Sequence, residues 1–284
     1  MTIKWLIVGA NGMLGQDFQD QLTGEPLVSL TKSECDVTNY DSVRSAIKDV
    51  DVVVNCAAYT AVDKAETEFE LATAVNGEGP KNLAQVCADI GAKLIQISTD
   101  YVFSGDSKTP YLPESLCQPK SKYGQSKLLG EQNVKKYLPT NHYIVRTAWL
   151  YGKNGPNFGK TILHLAKSNE NLNVVNDQIG QPTWTKDLVE KIIELVNSNV
   201  PSGTYHGTSG GQVSWFGYAQ KLFELSGLDK NRLKPALTQD FPRPAPRPSF
   251  SVLDHQMLDD VGIKPIRNWD LALEEAYSAG VFDD

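Results

Sequence analysis

The chain has 284 residues, 40% of them hydrophobic, and carries 34 Asp and Glu against 27 Lys and Arg for a formal net charge of −7. That balance argues against nucleic acid or an anionic membrane surface as the main partner, since both reward a basic face, and no run approaches the roughly eighteen apolar residues of a membrane span. Cys35, Cys56, Cys87 and Cys117 form no CxxC pair and no grouping with histidine, and the chain opens on a strand-like run without a secretory leader, so the expectation is a cytoplasmic protein with reduced thiols and no metal centre.

The apolar run Lys4-Trp5-Leu6-Ile7-Val8 predicts a buried strand, and Gly9-Ala10-Asn11-Gly12-Met13-Leu14-Gly15 follows it directly. Residues 13–22 are predicted as a helix. Strand, glycine turn and helix in this order let a dinucleotide pyrophosphate lie against free backbone N–H groups at a helix N-terminus. Strands are next expected over 27–30, 52–55, 93–98 and 143–146, with helices over 40–48, 72–90 and 121–137, the first of these capped by Thr38 or Asn39. This is the βαβ rhythm of a parallel sheet covered on both faces. In such sheets the ligand lies beyond the carboxyl ends of the strands, where Gly9, Ala57, Ala58 and Thr99 fall.

After Arg146 the pattern loosens into turn-rich stretches, 151–156 and the proline-dense 241–248, with helices near 158–166, 186–197, 214–226 and 270–279. The expected architecture is α/β. It consists of a Rossmann-type doubly wound parallel sheet over 1–150 and a smaller C-terminal substrate-binding lobe over 151–284, interleaved with helices and a strand that complete the first unit.

Tyr123-Gly124-Gln125-Ser126-Lys127 places a phenol and an ammonium on one helix face. Lys127 beside Tyr123 favours the ionised phenol while Tyr123 passes a proton to a substrate oxygen, and a Thr99 hydroxyl at a strand end completes a Thr-Tyr-Lys set. Bringing a tyrosine from pKa about 10 to about 7 takes roughly 4 kcal/mol, at most what one ammonium at about 4 Å supplies. Burial opposes the change, so the positive charge of an oxidised nicotinamide is expected to assist. With eleven tyrosines in the chain, one Tyr-Lys pair at this spacing also arises by chance, and Ser98 and Thr99 also read as ordinary strand-end hydroxyls.

These residues resemble the extended short-chain dehydrogenase/reductases and, among them, the dTDP-4-dehydrorhamnose reductase family. Besides the glycine turn and the Tyr-Lys pair, the likeness runs through Asp36-Val37-Thr38, the segment from Asn55 to Glu66, Ser98 to Phe103, Arg146 to Gly152, Asp177 to Thr183, and Arg247-Pro248 before Ser251-Val252-Leu253-Asp254. The resemblance implies NAD(P)H-dependent reduction of the C4 ketone of dTDP-4-dehydro-L-rhamnose to dTDP-L-rhamnose, the last step in making that sugar donor for polysaccharides. It assigns Asn11, Gly12 and Met13, with Gly9 and Gly15, to the pyrophosphate turn. Asp36 and Val37 go to the adenine end, and Ala57, Ala58, Tyr59 and Thr60 to the ribose and nicotinamide, with Tyr123 and Lys127. Val62, Thr99, Asp100, Tyr101 and Trp149 would line the sugar, and Tyr123 would donate the proton.

Asp36 also reads as a turn residue, Trp149 as core, and Arg243 and Arg247 as either a diphosphate clamp or a solvated polyproline turn. Lys32 after Leu30, where an acid would select NADH, leans towards NADPH and leaves NADH open. Some members of the family are magnesium-linked dimers; Asp17 has no acidic cluster around it, so no metal is expected, and the chain is taken as a monomer or homodimer acting on a dTDP-sugar. Two alternatives share the fold: another sugar-nucleotide reductase or epimerase, and a non-catalytic regulatory subunit like that of methionine adenosyltransferase. Dehydratases follow the threonine with Asp-Glu; here Asp100 is followed by Tyr101.

Overall fold

In a computed structural model, which describes residues 2–283, the apolar runs become a parallel sheet. Strands β1 (Trp5–Val8), β2 (Leu27–Leu30), β3 (Val52–Asn55), β4 (Lys93–Thr99) and β5 (His142–Thr147) pair with a sixth, Gly203–His206, in the order β2-β1-β3-β4-β5 and then the sixth strand. The chain crosses over between β1 and β3, which opens a crevice at the carboxyl ends of these strands. The completing strand is Gly203–His206, and the sequence had given it no position. It is short, begins at a glycine and is buried by pairing along β5 rather than by a long apolar run of its own.

Successive side chains of a strand point to opposite faces, and both faces are covered. On one, Trp5, Ile7, Val52 and Val54 pack against Leu14 and Phe18 of α1 (Met13–Gln21). On the other, Leu6, Val8 and Val53 meet Val43 of α2 (Tyr40–Ala46).

The expected helix 72–90 is interrupted. It starts earlier as α3 (Phe69–Thr73), widens into a π-turn at Ala74–Glu78 and continues as α4 (Gly79–Ile90). Pro80 supplies no N–H for the Asn76 carbonyl, and Gly130 of α5 (Lys122–Tyr137) lies so close to that carbonyl that an added Cβ would stand 2.2 Å from it. The Asn76 side chain accepts from the Tyr59 amide (2.8 Å) and donates to the Tyr59 carbonyl (3.0 Å). The π-turn thereby fixes the segment after β3.

Beyond β5, α6 (Phe158–Ser168), α7 (Thr185–Asn197), α8 (Trp215–Leu225), α9 (Gln256–Asp260) and α10 (Trp269–Ser278) follow. Leu188, Ile192 and Leu195 of α7 join the sheet core beside α1. Helices α6, α8 and α10 share a separate core around Trp184, Tyr218 and Phe282. Among the described residues no helix is long and apolar enough to cross a membrane.

Candidate active site

The glycine turn is built by three glycines with different duties. Gly9 has φ +78°, and a Cβ there would stand 2.6 Å from the Ala57 amide nitrogen; its own amide donates to the Leu30 carbonyl (2.9 Å). A Cβ on Gly15 would stand 2.6 Å from the Gly9 carbonyl oxygen, so Gly15 lets α1 seat on the turn. Gly12 is the N-cap of α1, with φ −72° and no side-chain cap, and its nearest neighbour for an added Cβ is the Gly9 oxygen at 3.3 Å. Gly9 and Gly15 thus serve the fold. Gly12, Asn11 and Met13 border open space at an uncapped helix N-terminus, the setting that favours an anion.

That space is a cavity of about 660 Å³. Ala57, Ala58, Thr60 and Val62 line it from the segment after β3, Thr99, Asp100 and Tyr101 from the end of β4, Tyr123 and Lys127 from α5, and Trp149 from beyond β5. Five expected residues stay off its wall: Gly9, Gly15, Asp36, Val37 and Tyr59. Asp36 Oδ1 accepts from the Thr38 amide (3.0 Å) and hydroxyl (2.8 Å), the turn-residue alternative, and these bonds lower its pKa. Val37 is buried in the core, and the Tyr59 hydroxyl donates to Glu68 (2.7 Å).

The reacting groups converge at the end of β4. Thr99 donates to Asp100 Oδ1 (2.9 Å) and accepts from the Tyr101 amide (3.2 Å), and the Tyr101 and Tyr123 rings meet edge to face at 5.6 Å. Burial, then the Asp100 carboxylate, raise the Tyr123 pKa above the ordinary tyrosine value, while its contact with Thr99 works downward. Burial pushes Asp100 up to about 6. Lys127 is 4% exposed; its ammonium donates to the Ile97 carbonyl (2.6 Å), and burial lowers its pKa to about 8 against the opposing pull of Glu131. Burial therefore sets the direction at Tyr123.

Trp149 also lines a second cavity of about 510 Å³, which shares Tyr101 and Trp215 with the first. Its backbone has φ +47°, and its indole stacks on Trp215 with centroids 3.5 Å apart, so the core reading of Trp149 does not hold. A Cβ on Gly180 would sit 2.5 Å from that indole. Arg247 pairs with Asp63 (2.8 Å), tying the proline-dense segment to the segment after β3, while Arg243 is exposed at the second cavity. Among the described residues no group of three or more His, Cys, Asp or Glu side chains could hold a metal ion.

Sequence reasoning gave no role to Trp215, Asn76 or Glu131. Glu131 had a usable signal, because it follows Lys127 at the same spacing of four that links Lys127 to Tyr123. Trp215 and Asn76 reach the site through contacts that no local pattern announces.

The family model described as RmlD substrate binding domain matches residues 3–281. The chain belongs to the dTDP-4-dehydrorhamnose reductase family. It is 44% identical to the dTDP-4-dehydrorhamnose reductase of Streptomyces griseus over 97% of this chain and 93% of that one. It is 42% identical to a dTDP-4-keto-6-deoxy-D-glucose reductase of Streptomyces niveus, over 98% and 97%. A solved dTDP-4-dehydrorhamnose reductase from Bacillus anthracis, in complex with NADP, superposes with a TM-score of 0.94 at 39% identity, covering 98% of this chain and all of that one (100%). The fold expected for this family is the one observed.

Proposed function

We propose that this protein is an NADPH-dependent oxidoreductase that reduces the C4 ketone of dTDP-4-dehydro-L-rhamnose to the hydroxyl of dTDP-L-rhamnose. One observation carries the reading: Thr99, Tyr123 and Lys127 line the same cavity as the uncapped glycine turn. The open space over Gly12, which a side chain would fill, fits a pyrophosphate, and residues 1–150 supply that side. The lobe over 151–284 supplies most of the second cavity, which adjoins the first at Tyr101 and Trp149.

The reduced nicotinamide, when bound, supplies the hydride. Tyr123 gives its phenolic proton to the C4 oxygen, and the Thr99 hydroxyl holds that oxygen in line. The Lys127 ammonium offsets the negative charge that Tyr123 then bears, and it lies within a buried site where charges act strongly. Asp100, Tyr101, Val62 and Trp149 line the same cavity as Thr99 and would take the sugar side. Lys32 is exposed after β2, where no acid excludes a 2′-phosphate, which supports NADPH and leaves NADH as a second donor. Four free thiols support a place in the cytoplasm, as a monomer or homodimer.

The Streptomyces niveus relative favours a second substrate, a 4-keto-6-deoxy sugar of the D-gluco series. Loss of NADPH absorbance with each dTDP-4-keto sugar tests both readings. We expect rapid oxidation with the rhamnose precursor and slower oxidation with the gluco isomer. No oxidation with either, despite NADPH binding, would remove the assignment.

A further inference from the structure

Three contacts join α5 to β4 like rungs. Tyr123, Lys127 and Glu131 follow one another at intervals of four and so share a helix face. Tyr123 meets Thr99, Lys127 Nζ donates to the Ile97 carbonyl (2.6 Å), and Ser98 Oγ donates to Glu131 Oε1 (2.6 Å). The last rung extends one strand further. Arg146 lies opposite Ser98 in the β4–β5 register and donates to Glu131 from Nε (2.9 Å) and Nη2 (2.7 Å). The two side chains are 2% and 1% exposed. A buried ion pair stabilises little compared with apolar groups of the same size, so stability alone does not account for one placed a helical turn after Lys127.

We propose that Glu131, fixed by Arg146 and Ser98, is a positioning residue that keeps the Lys127 amine charged beneath Tyr123. The inference rests on the reductase reading and deepens it. The other ionisable groups around Lys127 are Tyr123 on its own helix, Cys56 at the end of β3, Asp100 beyond β4 and Arg146 on β5. Helices α3 and α4, with the π-turn between them, cover the outer side of α5; there Glu78 and Lys81 are paired with each other (2.7 Å). Burial drives the Lys127 pKa down, and Glu131 is the strongest influence in the opposite direction, ahead of Cys56. Burial pushes the Cys56 thiol up to about 12, so it is neutral at physiological pH and lends no charge. The carboxylate of Glu131 is therefore the anion that offsets the burial of Lys127. Without it, the phenolate left on Tyr123 after proton transfer loses its counter-charge.

Glu131→Gln removes the charge and keeps an acceptor for Ser98. An opposite charge at close range moves a pKa by about one to three units, so the alkaline limb of the kcat/KM profile should move down by about one to three pH units from a wild-type position of about 8. Trace acetylation of ligand-free protein at graded pH, read at Lys127 by mass spectrometry, follows the same amine without turnover and should move equally. Ser98→Ala removes a hydroxyl but no charge and should leave both readings in place. If Glu131→Gln does not fold, Glu131→Gln with Arg146→Gln neutralises the pair together and should move both readings in the same direction by less, because the repulsion from Arg146 goes with the attraction of Glu131. A folded variant with both readings unmoved overturns the role of Glu131. Inactive Tyr123→Phe beside an unmoved Lys127 sinks this inference alone, whereas active Tyr123→Phe sinks the reductase reading itself.

Discussion

The two walls of the cavity are built on different principles. The catalytic wall, β4 and α5, is regular secondary structure whose polar side chains are almost wholly buried and tied to partners: Ser98 to Glu131, Lys127 to Ile97, Thr99 to Asp100. The substrate wall is irregular. It consists of Trp149 at φ +47°, an indole stacked on Trp215, and a proline-dense segment held by Arg247 to Asp63 across 184 residues of chain. The comparison teaches that the groups proposed for the chemistry are set on regular elements, at a spacing of four along α5 and at the end of β4, while the proposed sugar side draws on contacts between irregular segments far apart in the chain.

The largest expected effect tests the catalytic wall. Tyr123→Phe removes the proton donor and keeps the ring that packs edge to face on Tyr101, so kcat should fall by roughly 10² to 10⁴ with NADPH affinity nearly unchanged. Unchanged turnover, measured by NADPH oxidation, would take Tyr123 out of the reaction. The next effect belongs to the other wall. Gly180→Ala places a methyl about 2.5 Å from the Trp149 indole and must displace it from Trp215. Misplacement on this scale should cost about tenfold to a hundredfold in kcat/KM for the sugar nucleotide, with NADPH binding intact. An equal loss of cofactor affinity would mean that the walls are not independent.

This contrast also governs what the sequence made legible. The strands β1 to β5, most of the helices and the Tyr123-Lys127 pair follow from apolar runs and a spacing of four, because each is decided within a short stretch of chain. The strand Gly203–His206 escaped because its burial comes from β5, and the π-turn because it answers the close approach of Gly130. Asp36 illustrates a further limit: the family resemblance assigns it to the adenine end, its sequence context also reads as a turn residue, and its carboxylate accepts from Thr38. Position along a fold does not reveal which partner a side chain chooses.

A smaller effect separates fold from ligand within the glycine turn itself. Gly12→Ala meets only the Gly9 oxygen at 3.3 Å and has ordinary φ, so the protein should fold and keep its melting temperature. NADPH should bind about tenfold more weakly, about 1.4 kcal/mol, as read by fluorescence titration. Gly9→Ala, strained at φ +78° and pressed on Ala57, should instead lower stability by about 1 to 3 kcal/mol. Equal behaviour of the two variants would contradict the division of duties among the glycines.

The smallest effect concerns the tie between the walls. Arg247 and Asp63 are 20% and 30% exposed, so solvent screens their pair and its contribution to stability should lie near 0 to 1 kcal/mol. Its consequence should appear in recognition, because both residues line the second cavity and Asp63 also accepts from the Ala245 amide (3.3 Å). Arg247→Ala and Asp63→Ala should each raise KM for the sugar nucleotide about threefold, leaving the melting temperature within about 2 °C of wild type. If the pair acts as one tie, the double variant should lose no more than either single variant. Additive losses would mean that each side chain serves the substrate separately, and the proline-dense segment would then be held in place by its other contacts, among them Pro248 against Gly105.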